Sequence, residues 1–215
     1  MLALVWLIAC GGGAGRIHEE EPLEPLRGDG WALMVPVGAV VARSGAALKV
    51  DAPDGRSWFD VAWVADPPSE DAALRWGRSV CAPVLFDRGW TDGKRYAAGG
   101  ICEISSRRHW LVVVLEPVGD RTLQTSFLAD AQRTPYEDAW VAFVRTALTL
   151  GAGPEPLAVP DIDAVRERVR AAGLEKPGPI PIPGGGLLST RILPQLTDVW
   201  EARDAAPPGG SWPEP

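Results

Sequence analysis

Residues 93–130 read GKRYAAGGICEISSRRHWLVVVLEPVGDRTLQTSFLAD, and this stretch decides the fold. Its three apolar segments are separated by two short polar turns, Ser105 to Arg108 and Gly119 with Asp120. Strands joined by short turns pair antiparallel, and the unbroken run from Trp110 to Leu115 is typical of a strand covered on both faces. The stretch therefore predicts a three-stranded antiparallel meander whose middle strand lies at the centre of a sheet.

Strands on the amino-terminal side extend this sheet. Trp31, Leu33 and Val35 recur at the period-two spacing of a strand. Further along, Pro53 and Gly55 mark a turn between two short segments, which predicts a hairpin because proline presets φ and glycine accepts a positive φ. With the segment CAPVLFD (81–87) counted as another strand, the chain predicts an antiparallel sheet of about six strands.

Two helices are predicted to pack on the sheet, which makes the fold class α+β. The first follows Ser69, a residue type that caps helix amino termini. The second follows Thr134, Pro135 and Glu137, the pattern of a capping box with proline at the first helical position, and it is predicted to end at Gly151. The apolar stripe of this second helix consists of Trp140, Phe143, Val144, Ala147 and Leu148.

The charge balance of the chain argues against a nucleic-acid partner. The formal net charge is -7 at pH 7, and phosphate binding requires a concentrated Lys/Arg surface. Ten Trp residues against four Phe and two Tyr leave a binding role open, because tryptophan anchors interfaces as well as cores.

The first ten residues indicate an exported protein. Leu2 to Ala9 are eight uncharged apolar residues, which suits the core of a signal peptide and falls far short of the roughly 20 residues of a membrane-spanning helix. Leu7, Ile8, Ala9 and Cys10 resemble the lipobox of bacterial lipoproteins. The resemblance implies cleavage before Cys10, acylation of its thiol, and attachment to a membrane through the acyl chains.

The resemblance also implies a location, and the residues that follow predict a tether. Gly11 stands where lipoproteins retained at the enterobacterial inner membrane carry Asp, which favours the outer membrane, facing the periplasm or the cell surface. As a flexible chain rich in Gly, Glu and Pro, the seventeen residues from Gly11 to Arg27 reach roughly 23 Å. The acidic run beside His18 is interpreted as solvated and not as a metal site.

Two further cysteines offer a disulfide. If Cys10 is acylated, Cys81 and Cys102 remain, an even number in an oxidising compartment. A bridge between them would close about twenty residues and stabilise the fold by roughly 3 kcal/mol. Two buried free thiols and a redox-active pair are the alternatives. Neither cysteine lies in a metal-spaced cluster, so no metal and no cofactor are predicted.

One histidine, His109, lies in the predicted domain, where it is close to Ser105 and Ser106. A hydrolase triad needs a nucleophile, a histidine and an orienting carboxylate within hydrogen-bonding reach. These residues fall at a predicted turn, where a solvent-exposed histidine is the simpler interpretation, and no GxSxG nucleophile elbow accompanies them. No catalytic residue is therefore predicted.

The order of the elements is similar to that of a known family. The strand WALMVP (31–36), a hairpin, a short helix, a long meander and a final helix resemble the PsbP-like α/β/α sandwich over residues 28–150. The likeness lies in element order and not in a motif, so it brings no site residues. It implies a domain that binds or scaffolds and does not catalyse.

The carboxyl-terminal region is predicted to be an extension of the domain. Asp161 caps a segment in which Ile162, Val165 and Val169 form one narrow apolar stripe. A second short helix is predicted around Trp200, after a stretch rich in Pro and Gly. The extension either wraps the main domain or docks on an envelope partner with Trp200 as the anchor.

The sequence thus predicts a lipid-anchored cell-envelope protein that acts as a non-catalytic binding or structural module. The alternative is an envelope enzyme, either a thiol redox protein that uses Cys81 and Cys102 or a hydrolase that uses His109. The predicted parts of the chain are a signal peptide (1–9), a lipidated tether (10–27), an α+β domain (28–151), an extension (152–204) and a disordered tail (205–215).

Overall fold

The computed structural model describes residues 22–45, 47–81 and 84–173. Within these ranges the chain forms strands and three helices. The strands are β1 (Leu23–Arg27), β2 (Trp31–Pro36), β3 (Val40–Ser44), β4 (Ala47–Asp51), β5 (Ser57–Val64), β6 (Val84–Thr91), β7 (Tyr96–Ile104), β8 (Arg107–Val118), β9 (Arg121–Asp130) and β10 (Gly151–Ala152). The helices are α1 (Glu70–Val80), α2 (Tyr136–Ala147) and α3 (Ile162–Ala171).

The larger of two sheets confirms the predicted antiparallel meander and the α+β class. It has seven strands in the order β3-β4-β5-β9-β8-β7-β6, and all neighbours pair antiparallel. The apolar run of β8 lies between β7 and β9, as predicted. About six strands were predicted, with the Trp31 strand among them, but that strand (β2) lies in a separate sheet. The segment after Gly38, which has a positive φ of 80°, turns back and adds β3 as the edge strand instead.

Helices cover both faces of this sheet. Val112 and Val114 of β8 lie in one apolar core with α2, whereas Leu111 and Val113 lie in a second core with α1. Successive strand residues point to opposite faces, so α1 and α2 must lie on opposite sides. A strand covered on both sides needs no polar alternation, which accounts for the continuous apolar run.

The predicted hairpin is present and joins the edge of this sheet to its centre. β4 and β5 pair from Ala47 with Ala62 to Asp51 with Trp58. The turn between them contains Gly55 at a φ of 64°, a conformation that favours glycine.

A smaller sheet, in the order β1-β2-β10, lies against the core that contains α2. Here the structure differs from the predicted tether, because residues 23–27 form β1 and pair with residues 32–36 of β2. Leu26 packs against the core, which gives this segment apolar burial. Pro25 made the segment look irregular, yet proline is tolerated on an edge strand since its missing N–H can face solvent.

The predicted stripe of α2 packs into the core, with Ala147 partly buried and the other four residues buried, but the predicted caps are wrong. Pro135 is the N-cap residue and no side chain caps the helix. The Thr134 hydroxyl has no hydrogen-bond partner, while the Thr134 carbonyl accepts the indole N–H of Trp110 at 2.9 Å. A contact with β8 therefore orients this end of the helix in place of a local cap. At the other end Leu148 is the C-cap, and Gly151 begins β10.

The first helix of the extension packs on the main domain. As predicted, Asp161 caps α3, with its Oδ1 accepting the backbone N–H groups of Asp163 and Ala164, both at 3.0 Å. Val165 and Val169 are buried in the core that contains α2. Residues up to 173 therefore belong to the same folded unit as the sheet.

Ion pairs add to the contact between the two helices. Arg166 Nη1 lies 3.0 Å from a carboxylate oxygen of Glu137 and 3.3 Å from one of Asp138. Arg170 Nε lies 2.9 Å from the same Glu137 oxygen. For this part of the extension the contacts fit the wrapping interpretation. Its other part, with Trp200, and the tail 205–215 lie outside the described residues.

Candidate functional site

The end of α1 positions Cys81 over the sheet. The helix begins as predicted, with the Ser69 hydroxyl accepting the N–H of Ala72 at 3.2 Å. At its end, Cys81 donates its backbone N–H to the carbonyl of Gly77 at 3.0 Å, and the Cys81 Sγ lies 3.6 Å from the same oxygen. A side chain at Gly77 would be crowded, since a Cβ there would lie 3.2 Å from Cγ1 of Val84. The helix can therefore approach β6 closely.

Cys102 of β7 lies beneath this helix end. Its register partners are Val84 on β6 and His109 on β8. Cys81 and Cys102 are both buried in the core under α1, and their thiols are hydrogen-bonded to each other. The structure contains them as free thiols. The two cysteines predicted to pair are thus in contact, and the covalent bond between them stays a prediction.

The contact makes the two thiols unequal. The hydrogen bond from Cys102 lowers the pKa of the Cys81 thiol, although burial acts in the opposite direction. The pKa of Cys102 is raised by the same hydrogen bond, by burial and by the charge of Cys81. The thiolate is the nucleophile in disulfide chemistry, and the hydrogen bond between the two thiols favours the thiolate of one sulfur over that of the other.

His109 is not the exposed turn residue that the sequence predicted. It lies within β8 and is 8% exposed. Its ring packs edge-on against Trp58, with 5.4 Å between ring centroids, and its Nδ1 lies 3.0 Å from the carbonyl oxygen of Arg107. The prediction of an exposed His109 was wrong because Trp58, which lies on β5 in a distant part of the chain, covers the histidine ring.

The two serines near His109 form the turn itself. Ser105 and Ser106 have φ angles of 50° and 62°, and the flanking Ile104 and Arg107 are register partners. Two successive positive φ angles define a type I′ hairpin turn, for which Asn-Gly is the preferred sequence. The serines therefore serve a turn geometry, and neither is among the hydrogen-bond or ring partners of His109.

A polar group on β4 and β5 was missed by the sequence analysis. Burial raises the pKa of Asp60 to about 6, the neighbouring Asp51 adds to the rise, and Lys49 and a hydrogen bond with Trp58 oppose it. Lys49 Nζ lies 2.8 Å from Asp51 and 5.1 Å from the centroid of the Trp58 ring. The sequence signal was an acidic residue inside an alternating strand, but the burial of that residue could not be inferred from spacing.

A small cleft between β2 and β10 of the smaller sheet and β8 and β9 of the larger sheet was also missed. Its volume is about 200 Å³. It contains one buried carboxylate, Glu116, whose Oε1 lies 3.7 Å from Arg95 Nε, and Arg95 also pairs with Asp92 at 3.2 Å. The lining residues are Trp31, Glu116, Val118, Leu123, Leu150, Gly151, Ala152 and Leu157. They come from distant elements, so no local motif could have revealed the cleft.

Two predicted site residues, Cys10 and Trp200, lie outside the described residues. Within the described ranges, no helix combines the length and apolar character needed to cross a bilayer. In the same part of the chain, no group of three or more His, Cys, Asp or Glu residues is placed to hold a metal ion.

No family model and no curated protein matches this chain. A solved structure of a protein from Bacteroides thetaiotaomicron is similar over 67% of this chain and 55% of that chain, with 11% sequence identity and a TM-score of 0.34. This chain thus spans just over half of that protein. A similarity of this size carries no inference about function.

Proposed function

We propose that this protein is a lipid-anchored component of a bacterial cell envelope, and that its α+β domain is a non-catalytic binding or structural module. The sequence Leu7-Ile8-Ala9-Cys10 carries the proposal, because it resembles a lipobox in which the cysteine thiol is acylated. Two or three acyl chains hold a protein on a membrane far more firmly than one. The partners are the membrane itself and an envelope protein still to be identified; the outer membrane is the proposed location.

The length of chain between the anchor and the domain suits this arrangement. Eleven residues, Gly11 to Glu21, separate Cys10 from Pro22, the first described residue. Even fully extended, eleven residues span no more than roughly 40 Å. The domain would therefore work close to the lipid surface.

The contact between Cys81 and Cys102 supports export. In an oxidising compartment, a protein or small-molecule disulfide would accept two electrons and two protons from the pair, leaving a bridge between the two sulfurs and a reduced dithiol. The bridge would join the end of α1 to β7. It would close about twenty residues, which corresponds to roughly 3 kcal/mol of stabilisation.

The burial of the candidate catalytic groups favours a module over an enzyme. Reactive cysteines sit in accessible, electropositive surroundings, whereas Cys81 and Cys102 are enclosed by apolar side chains under α1. His109 is held between Trp58 and the Arg107 carbonyl. Neither arrangement offers the accessible nucleophile that the redox or the hydrolase alternative needs.

Peptide mass spectrometry of protein isolated from bacterial envelopes tests the proposal at all three cysteines. The protein is alkylated under denaturing conditions before any reduction. We expect an amino-terminal peptide that starts at Cys10 and carries acyl chains, and a linked pair of peptides containing Cys81 and Cys102. An unmodified, uncleaved amino terminus would refute the lipid anchor, and two alkylated thiols would refute the bridge, so each claim fails separately.

A double cysteine variant and a matched control distinguish a structural role of the two cysteines from a redox activity. The double variant Cys81→Ala, Cys102→Ala should unfold at lower urea concentration than the oxidised protein and should no longer respond to reductant. Val84→Ala, which opens a small cavity at the same core, is the matched control and should stay sensitive to reductant. Turnover of thiols or disulfides by the wild-type protein, lost in the double variant at unchanged stability, would instead establish the enzyme.

A further inference from the structure

An exposed apolar tip joins β2 to β3. Among the described residues, four large hydrophobic side chains are exposed, and three of them lie within five positions: Val37 (47%), Val40 (65%) and Val41 (38%). Single exposed apolar residues are normal on protein surfaces. Here Val40 and Val41 are successive residues of β3 and point to opposite faces, so the end of this edge strand is apolar on both sides. Residues 37–41 are called the valine tip below.

The valine tip lies beside the point where the chain enters the domain. Val37 donates its backbone N–H to the carbonyl of Pro22 at 2.9 Å. Gly38 donates its N–H to the Glu24 carboxylate at 3.3 Å. Pro22 follows Cys10 by twelve residues, so the segment that would carry the acyl chains ends directly against the tip.

We propose that the valine tip rests on the lipid surface that holds Cys10. The inference depends on the proposed acylation, because the anchor is what brings this end of the domain to the membrane. The three exposed valines make the end of the edge strand apolar on both faces, so the tip can enter the headgroup boundary of a bilayer end-on and remove apolar area from water. Since the tether ends beside the tip, contact requires no further folding of the domain.

Most of the carboxylates around the valine tip are paired with cations. Asp51, the register partner of Val40 on β4, lies 2.8 Å from Lys49 Nζ, and Asp54 of the neighbouring turn lies 3.5 Å from Arg56 Nε. Glu24 accepts the N–H of Gly38. A Cβ at Gly38 would lie 3.8 Å from Pro53, which places the two turns side by side. Because these carboxylates are paired, the tip offers the headgroups apolar area and little net charge, so a zwitterionic surface is the expected one.

The experiment uses the acylated full-length protein reconstituted into phosphatidylcholine vesicles. A fluorophore is attached to Val41→Cys, and its quenching by nitroxide-labelled lipid is measured. Asp120→Cys, in the exposed turn between β8 and β9, is the matched control. Thr122, two residues after position 120, is the register partner of Val64 at the carboxyl end of β5. Pro53 precedes the amino end of β5, so the two turns lie at opposite ends of the sheet. Cys81 and Cys102 are buried and should not take the label.

We expect the label in the valine tip to be quenched severalfold more strongly than the label at position 120. The added changes Val37→Asp and Val40→Asp should bring quenching at position 41 down to the control level. Replacing part of the phosphatidylcholine with phosphatidylglycerol should leave quenching at the tip nearly unchanged, because the carboxylates around the tip are paired with cations.

Equal quenching at both positions in protein that is shown by mass to be acylated would overturn the inference while leaving the anchor intact. Loss of vesicle binding because Cys10 is unmodified would instead refute the proposed function. The fluorophore at position 41 could also quench itself in a way that depends on protein concentration and persists without lipid. That result would show that a second copy of the chain covers β3, and it would also overturn the inference.

Discussion

Replacing Asp60 with Asn should make the protein more stable at neutral pH and leave its stability at acidic pH nearly unchanged. Asp60 is partly buried on β5, where its pKa is raised from 3.8 to about 6. A group with a raised pKa binds its proton more tightly in the folded state than in the unfolded state. As the pH rises from 3.8 towards 6, the unfolded state therefore ionises first and the free energy of unfolding decreases. Asparagine has nearly the same shape and no charge to bury.

The size of the effect follows from the same shift. A rise from 3.8 to about 6 corresponds to about 3 kcal/mol, at about 1.4 kcal/mol per pKa unit. Because the side chain is partly exposed, solvent screening reduces this figure. We expect Asp60→Asn to raise the free energy of unfolding by about 1 to 2 kcal/mol at pH 7.5 and by little at pH 3.

Urea unfolding followed by tryptophan fluorescence, from pH 3 to pH 8, measures this difference. The wild-type curve should lose stability relative to the variant across the window from pH 3.8 to about 6. Asp120→Asn, in an exposed turn, serves as the control and should change stability by less than about 0.5 kcal/mol. A constant difference between Asp60→Asn and the wild type at all pH values would refute the reasoning, as would a variant that is less stable at pH 7.5.

Three further substitutions test other parts of the structure. Ser105→Asn with Ser106→Gly should stabilise the protein by about 1 kcal/mol in urea unfolding, because both residues have positive φ and Asn-Gly prefers that turn; a loss of stability would mean that the serines have another role. Val169→Ala should destabilise the whole domain by about 1 to 3 kcal/mol and leave a single unfolding transition. Val159→Ala, at an exposed position, is the control and should have no effect. A separate early unfolding transition would show that α3 is not part of the main core. Gln124 is 1% exposed and its amide nitrogen has no hydrogen-bond partner. Gln124→Met should therefore raise the free energy of unfolding, measured by thermal denaturation, by about 1 kcal/mol. A clear decrease would reveal a partner for the amide.

The sequence predicted the elements whose signals are local. The run from Trp110 to Leu115 indicated a central strand, and the apolar stripe beginning at Trp140 indicated a buried helix; both are present. Ser69 and Asp161 marked the starts of α1 and α3 correctly because a capping side chain acts within its own turn. Spacing along the chain was sufficient for these predictions.

The sequence alone did not predict β1 or the packing around Thr134. Residues 23–27 become a strand because β2 offers a partner along their full length. Thr134 does not cap α2, and its carbonyl is instead held by Trp110. In both places a contact between segments distant in the chain overrides the local preference, which is worth only about 1 kcal/mol.

By itself the sequence determined which residues can do chemistry: an even pair of thiols, a single histidine in the domain, and a cysteine in a lipobox-like setting. Only the tertiary structure decided which of these residues meet. It brings Cys81 against Cys102, packs His109 against Trp58, and sets Val37 beside Pro22. The physical reason is that the spacing of apolar residues shows only which face of a helix or strand is apolar. Which residue lies opposite that face depends on strand order and register, and these are established by long-range packing.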